Sequence, residues 1–173
     1  MTIDVNNKRK TMAWLLGSGA SIAIAVSGAF LVAPHEGAVN GTYLDPVGII
    51  TSCLGHTESG MELGVRFTDG QCMDQFAKDL SKADASVHRV IHIPMTVYEE
   101  AALTSFTYNV GETKLRSSTL AKYFNAGNVT AGCNELVKWV YSGKTKLKGL
   151  EVRREQERQM CLGKTEWSNA VNN

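Results

Sequence analysis

The chain passes through three regimes of hydrophobic patterning. From Thr11 to Ala33 no residue is charged, and Lys8, Arg9 and Lys10 stand just before the run. Its 23 residues exceed the number, roughly 20, that a helix needs to cross a bilayer core. Residues 35–65 lose that continuity. Gly37, Gly41, Gly48, Gly55, Gly60 and Gly64 punctuate a stretch containing Val47, Ile49, Ile50 and Thr51, which predicts a small, irregular sheet or hairpin. From Thr68 the period lengthens. Met73, Phe76, Leu80, Ala83, Val87 and Val90 follow at gaps of three and four, the apolar stripe of one long helix that Thr68 and Gln71 open as a capping box. Pro94 ends that stretch, and Thr96 with Glu99 opens the next helix, which carries Ala102, Leu103 and Phe106. Further helices are predicted near 117–125, 130–141 and 149–161, with Gly127, Gly143 and Gly163 as stops. The pattern predicts an α+β fold, a small β-lobe followed by a larger helical lobe, the two framing a cleft.

Composition changes the reading of the first regime. Between Ala13 and Ala33 stand six Ala, three Gly and three Ser, so more than half of the span is small or weakly apolar. Each Leu, Ile, Phe or Val contributes only about 0.3–0.6 kcal/mol to insertion. The segment can enter a membrane and is held there weakly. The basic flank predicts that the N-terminus stays in the cytoplasm and the rest is exported. Three fates remain open for it: a releasable anchor, a cleavable signal peptide with small residues at Ser27-Gly28-Ala29, and a permanent anchor whose glycines pack against another helix. The division expected is a basic cytoplasmic N-terminus (1–10), an anchor segment (11–33), one catalytic domain (34–163) and a polar, frayed tail (164–173).

A net charge of +1 conceals an asymmetry: residues 34–100 hold four Lys/Arg against ten Asp/Glu, and residues 101–173 hold eleven against six. The basic half could attract an acidic polymer such as wall glycan or lipid headgroups; two solvated faces attracting each other explain the split equally well. No nucleic-acid partner is expected, and the chain is expected to act as a monomer. Cys53, Cys72, Cys133 and Cys161 all follow the apolar segment. An even number beyond an export signal favours disulfides over buried thiols, and the lack of any CxxC pair speaks against a zinc ribbon. His88 and His92 stand at helical i, i+4 spacing, but no HExxH pattern or third ligand accompanies them, so no metal and no cofactor are expected.

The chemistry concentrates in HEGAVNGTYLDPVGIITSCLGHT. Glu36, Asp45 and Thr51 offer a carboxylic acid, a second carboxylate and a small hydroxyl, the set a glycosidase needs to protonate a leaving oxygen, assist on the opposite face and orient a water. Taken alone, two acids at this spacing carry little meaning. Their surroundings carry more: Glu36-Gly37, Asp45-x-x-Gly48 and Thr51-x-x-x-Gly55-His56-Thr57, then Ser105-Phe106-Thr107-Tyr108-Asn109-Val110-Gly111, Arg116-Ser117-Ser118-Thr119-Leu120, and Gly149-Leu150-x-x-Arg153-Arg154-x-x-Glu157. Together these resemble the phage-type muramidases of glycoside hydrolase family 24, and most of all the signal-anchor-release endolysins of lambdoid phages. One departure is Cys53, where the wider family usually has glycine.

The resemblance implies a lysozyme-like fold and hydrolysis of the β-1,4 link between N-acetylmuramic acid and N-acetylglucosamine in peptidoglycan, for lysis of the host. It implies Glu36 as a protonated general acid, Asp45 as the second carboxylate and Thr51 beside the attacking water, with inversion and carboxyls about 6.5–9.5 Å apart. Tyr108 and Asn109 would line the glycan cleft. His56 is expected to be structural, one ring nitrogen donating to a carboxylate such as Asp69 or Asp74. Phe106 and Trp139 are expected in the core. On the family fold each lobe keeps its own staple, Cys53–Cys72 and Cys133–Cys161. The location implied is the host inner membrane facing the periplasm, then the periplasm after release, with the tethered form inactive. Two other readings stand beside this one: a lytic transglycosylase or chitinase-like glycan cutter, and a non-catalytic, membrane-tethered glycan-binding domain.

Overall fold

A computed structural model describes residues 7–36, 39–45 and 48–164. Gly37, Val47, the start of the basic N-terminus and nearly all of the polar tail lie outside the described residues. The chain divides into two compact units between Ser81 and Lys82.

The first unit opens with the small-residue segment, which is folded in pieces. Helix α1 (Lys8–Gly17) stops where Gly19 adopts φ +88°, and α2 (Ile22–Val26) restarts behind Ser21, whose Oγ accepts from Ile24 N–H. A π-helical turn (Ser27–Val32) and a 3₁₀ turn (Ala33–His35) follow. The chain doubles back, so that Lys8 Nζ lies 5.1 Å from the centre of the Phe30 ring. A single span across 11–33 was expected; among the described residues no helix is long and apolar enough to cross a membrane. The break falls where glycine and serine give the least resistance to a turn. From Ala23 onward the pieces are largely buried, with Ala25, Val26, Ala29, Val32 and Ala33 fully covered, whereas α1 buries only Thr11 and Leu15 and leaves Leu16 exposed.

Strands β1 (Val39–Leu44) and β2 (Ile50–Cys53) form an antiparallel hairpin in which Tyr43 faces Thr51 and Leu44 faces Ile50. A bulge between Val39 and Thr42 lets residues 65–67 join on the free side of β1: Thr42 N–H donates to Val65 O, and Phe67 N–H to Asn40 O. Gly41 makes that approach possible, since a Cβ there would come within 2.8 Å of the Val65 carbonyl oxygen.

Helix α3 (Asp69–Val90) is the long helix that the apolar stripe predicts, and all six stripe residues are buried. Its capping box forms: Thr68 N–H donates to Gln71 Oε1, and Gln71 N–H to Thr68 Oγ1. Two faces of its first half organise the first unit. Phe76 and Leu80 pack against the small-residue segment, where a Cβ on Gly28 would lie 2.7 Å from Leu80 Cδ1 and 2.6 Å from Leu15 Cδ1. Cys72, Gln75 and Asp79, at helical spacing on another face, fasten β2 and the turn after it.

The second unit is helical. Helix α4 (Val97–Val110) has the capping box expected at Thr96 and Glu99, and every residue from Ala101 to Thr107 is buried, so it is the central element of this core. Around it run α5 (Glu112–Ser117), α6 (Thr119–Asn125), α7 (Val129–Glu135), a 3₁₀ turn (Leu136–Lys138) and α8 (Lys148–Cys161). Cys133–Cys161 staples α7 to α8. The helix expected over 130–141 ends early, and β3 (Tyr141–Ser142) and β4 (Thr145–Lys146) form a small hairpin instead. Arg154 Nε takes the Trp139 carbonyl at 3.2 Å, removing it from any helical ladder, and Gly143 at φ +58° closes the turn. Phe106 is fully buried and meets Trp139 edge-on with centroids 5.2 Å apart; Trp139 itself is only half-buried.

Candidate active site

The site grows out of the β1–β2 hairpin and the turn before it. Pro34 sits at the start of the 3₁₀ turn, where its missing N–H costs nothing, and Glu36 follows in extended conformation (φ −95°, ψ 136°). The chain therefore leaves its helical path at the acid, whose side chain is half-buried. Asp45 holds the connection between the strands. Its Oδ1 accepts from Ile49 N–H at 2.8 Å, its own N–H donates to Ile49 O at 2.9 Å, and its carbonyl accepts from Gly48 N–H at 3.0 Å. Such side-chain-to-backbone closure fixes the carboxylate and the start of β2 together. Thr51, only 4% exposed, donates from Oγ1 to Ile49 O at 3.2 Å.

Tyr43 is the residue that the sequence reading missed. It is paired with Thr51 across the hairpin, and its phenol is pushed above its ordinary pKa by burial first, then by the charges of Glu36 and Asp45. Both carboxylates thus bear on one phenol directly across from the threonine. A strand tyrosine reads in sequence as ordinary β-propensity; its position two before Asp45 is the signal that was available.

The back of the site is fastened to α3 at three points along one helix face. Cys53 is bonded to Cys72, Ser52 Oγ donates to Gln75 Oε1 at 3.1 Å, and His56 Nδ1 donates to Asp79 Oδ2 at 2.6 Å. Glu58 lies 3.6 Å from the other His56 nitrogen. His56 pairs with a carboxylate, but that partner is neither Asp69 nor Asp74. Asp79 shares the face of Cys72 and Gln75, Asp74 is exposed off that face, and Asp69 accepts from Asn40. Cys53 adopts φ +53° and Gly55 φ +85°, a tight turn that the Ser52–His56 backbone pair closes. A cysteine at a position that suits glycine is held there by its disulfide.

Tyr108 and Asn109 belong to the second unit. Asn109 is exposed, and its Oδ1 accepts from the Arg154 guanidinium, which leaves the amide Nδ2 as the donor. Arg154 and Glu157 are fully buried and paired, Ser105 Oγ donates to Glu157 at 2.7 Å, and Arg153 Nε adds a contact at 3.3 Å. Burial pushes the Arg154 pKa down and Glu157 opposes that push. The guanidinium also lies over the Phe106 ring at 4.9 Å. Among the described residues, no group of three metal-type ligands lies at Glu36, Asp45 and Thr51.

Comparison with known proteins agrees with this architecture. The phage lysozyme family profile matches residues 33–157. SAR-endolysins of Enterobacteria phages PA-2 and P21 are each 35% identical over 159 residues, covering 89% of this chain and 94% of theirs. The crystal structure of the active form of the P1 phage endolysin Lyz superimposes with a TM-score of 0.81 at 28% identity, covering 96% of each chain.

Proposed function

The chain belongs to the phage lysozyme family, and from that premise we propose that Glu36, Asp45 and Thr51 are the catalytic residues of a phage endolysin. The enzyme is a muramidase, a glycoside hydrolase that degrades bacterial peptidoglycan by cutting the β-1,4 bond between N-acetylmuramic acid and N-acetylglucosamine. In the reaction the Glu36 carboxyl gives its proton to the glycosidic oxygen as the bond from the muramic acid C1 breaks. Asp45 offsets the positive charge that develops at C1, and water held by Thr51 Oγ1 adds to that carbon, its proton passing to Asp45. Support for this assignment comes from the hairpin, where Asp45 closes the turn, Thr51 is buried opposite Tyr43, and the charges of Glu36 and Asp45 both act on that phenol.

The chain is exported, tethered and then released to the periplasm, as the naming of its relatives implies. Residues 11–33 provide the tether, with the N-terminus inside. Support comes from their weak apolarity and from the folded arrangement described above. Lys8 and Phe30 in contact cannot describe a segment stretched over a bilayer core of about 30 Å. The folded arrangement fits a released chain, in which the segment packs as part of the first unit.

The test is hydrolysis of purified peptidoglycan with product analysis by mass spectrometry. Glu36→Gln is expected to lose about 10²–10⁴-fold in rate with the fold intact. Thr51→Ala is expected to be crippled and Thr51→Ser largely active. Reducing-end products fit hydrolysis; anhydro-muramic ends would make the enzyme a transglycosylase. More than a tenth of normal activity in Glu36→Gln would remove that residue from its role.

A further inference from the structure

A separate cluster of ligating side chains lies in the unit that begins at Lys82. Asp84 and His88 stand one turn apart on α3, and Glu100 approaches them from the first half of α4. His88 Nε2 is 3.7 Å from Asp84 Oδ2 and 3.6 Å from Glu100 Oε1, and one ligating atom from each of the three lies within 4.8 Å of the others. We propose that Asp84, His88 and Glu100 form a binding site for a zinc-class divalent ion, with water in the remaining position.

The spacing is close to what such an ion requires. Zinc holds imidazole nitrogen and carboxylate oxygen at about 2.0–2.2 Å in tetrahedral array, which places neighbouring ligand atoms about 3.4 Å apart. The three ligand atoms, all within 4.8 Å of one another, would close to that spacing on binding. Asp84 is already oriented: its other oxygen, Oδ1, accepts from the fully buried Thr104 Oγ1 at 3.1 Å, one turn beyond Glu100 on α4. A hydrogen bond of this kind behind a ligand is what fixes metal-binding carboxylates in place. The Asp84 and Glu100 side chains are 15% and 19% exposed, whereas His88 is 53% exposed and leaves the site open to water.

Ligand chemistry narrows the choice of ion. Ca²⁺ takes six to eight oxygens and Mg²⁺ keeps an octahedral shell of oxygens, whereas one imidazole with two carboxylates suits Zn²⁺, Co²⁺ or Ni²⁺. The pair visible in sequence, His88 and His92, is not the one the fold uses. Helix α3 ends at Val90, so His92 lies beyond it, its N–H donating to Asn125 Oδ1. The helical partner of His88 is Asp84 on the preceding turn. A bound ion would clamp α3 to α4 and would leave the hairpin chemistry untouched.

The experiment is equilibrium dialysis of the released full chain, stripped with chelator, against Zn²⁺, with Co²⁺ absorption reporting the coordination number. One ion per chain and a four-coordinate Co²⁺ spectrum are expected. Asp84→Asn and His88→Ala should each weaken binding about tenfold or more. His88→Ala replaces a half-exposed side chain, so its melting temperature and its wall hydrolysis in chelator should match the parent. That control keeps this result separate from the catalytic assignment. Absence of stoichiometric uptake, or uptake that both variants leave unchanged, would overturn the site and leave the trio as an ion-paired surface cluster.

Discussion

Tyr43 carries an O–H donor across the hairpin from Thr51, its pKa raised by burial first and then by the charges of Glu36 and Asp45. Tyr43→Phe keeps the ring and removes that donor. We expect the fold to be unchanged and hydrolysis to fall about fivefold, near one neutral hydrogen bond, with a displaced acid limb in the pH–rate profile. An unaltered profile would reduce Tyr43 to packing. Glu157 tests a different kind of residue. Its carboxylate is fully buried beneath Arg153 and Arg154, so Glu157→Gln strands charge and should cost about 3–5 kcal/mol in denaturant unfolding. Glu155→Gln, at the surface of the same helix, is the control and should cost little. At this scale the sequence was legible where a position is set locally. Glu36, Asp45 and Thr51 stand within one short segment, and the hairpin brings the last two to either end of a single turn. The partner of His56 was not legible, because choosing Asp79 over Asp69 or Asp74 requires the phase of α3 against the hairpin.

Elements were legible where a periodic stripe and a cap coincide. Helices α3 and α4 begin at their predicted capping boxes, since both signals act within one turn. Elements set by distant contacts were missed. The β3–β4 hairpin replaces a predicted helix because Arg154, fifteen residues on, captures the Trp139 carbonyl. Helix α5 was not foreseen, yet it supplies Glu112, which Arg89 from α3 and Arg116 both contact at 2.6 Å. Those two donors hold the Glu112 pKa down at about 2. A folded-state value below the unfolded one means that the interaction is complete above the ordinary carboxylate range and is lost as pH falls toward 2. Glu112→Gln should therefore flatten the acid-induced loss of stability in that window, and added salt should shrink the difference because the pair is exposed. Equal acid sensitivity in both proteins at low salt would remove the ion pair from the account. The Cys53–Cys72 loop, with a sequence separation of 19, predicts a loss of about 3 kcal/mol when both cysteines become serine. Because β2 ends at that bond, Thr51 should lose position as well, and activity should fall before the second unit melts.

At the scale of the whole molecule, the proposed tether-and-release cycle asks one segment to satisfy two environments. Leucine-rich residues would hold 11–33 in the bilayer, but the folded unit leaves no room for them at every position. Gly28 sits against Leu15 and Leu80, and Ser27 is fully buried, whereas Gly17 has open space around it and Ser18 is exposed. The Ala/Gly/Ser composition, read from sequence only as weak insertion, is thus also a packing requirement of the released form. This separates two effects that a wholesale leucine replacement would confuse. Gly17→Leu with Ser18→Leu adds about 0.3–0.6 kcal/mol of insertion per leucine and no clash with the folded unit. It should delay lysis and raise the membrane-bound fraction, while any chain that does escape has normal specific activity on isolated wall. Gly28→Leu should also favour the membrane, but its escaped chains should be less stable and poorly active, since the new side chain overpacks against Leu15, Phe76 and Leu80. The measurement is paired: lysis timing and fractionation in cells, then specific activity of the soluble fraction for each variant. If the Gly17/Ser18 variant lyses on the normal schedule while remaining in the membrane, the tethered enzyme is active and release is not the switch. If escaped Gly28→Leu chains are fully active, the segment's packing into the first unit is dispensable, and only its departure from the bilayer matters.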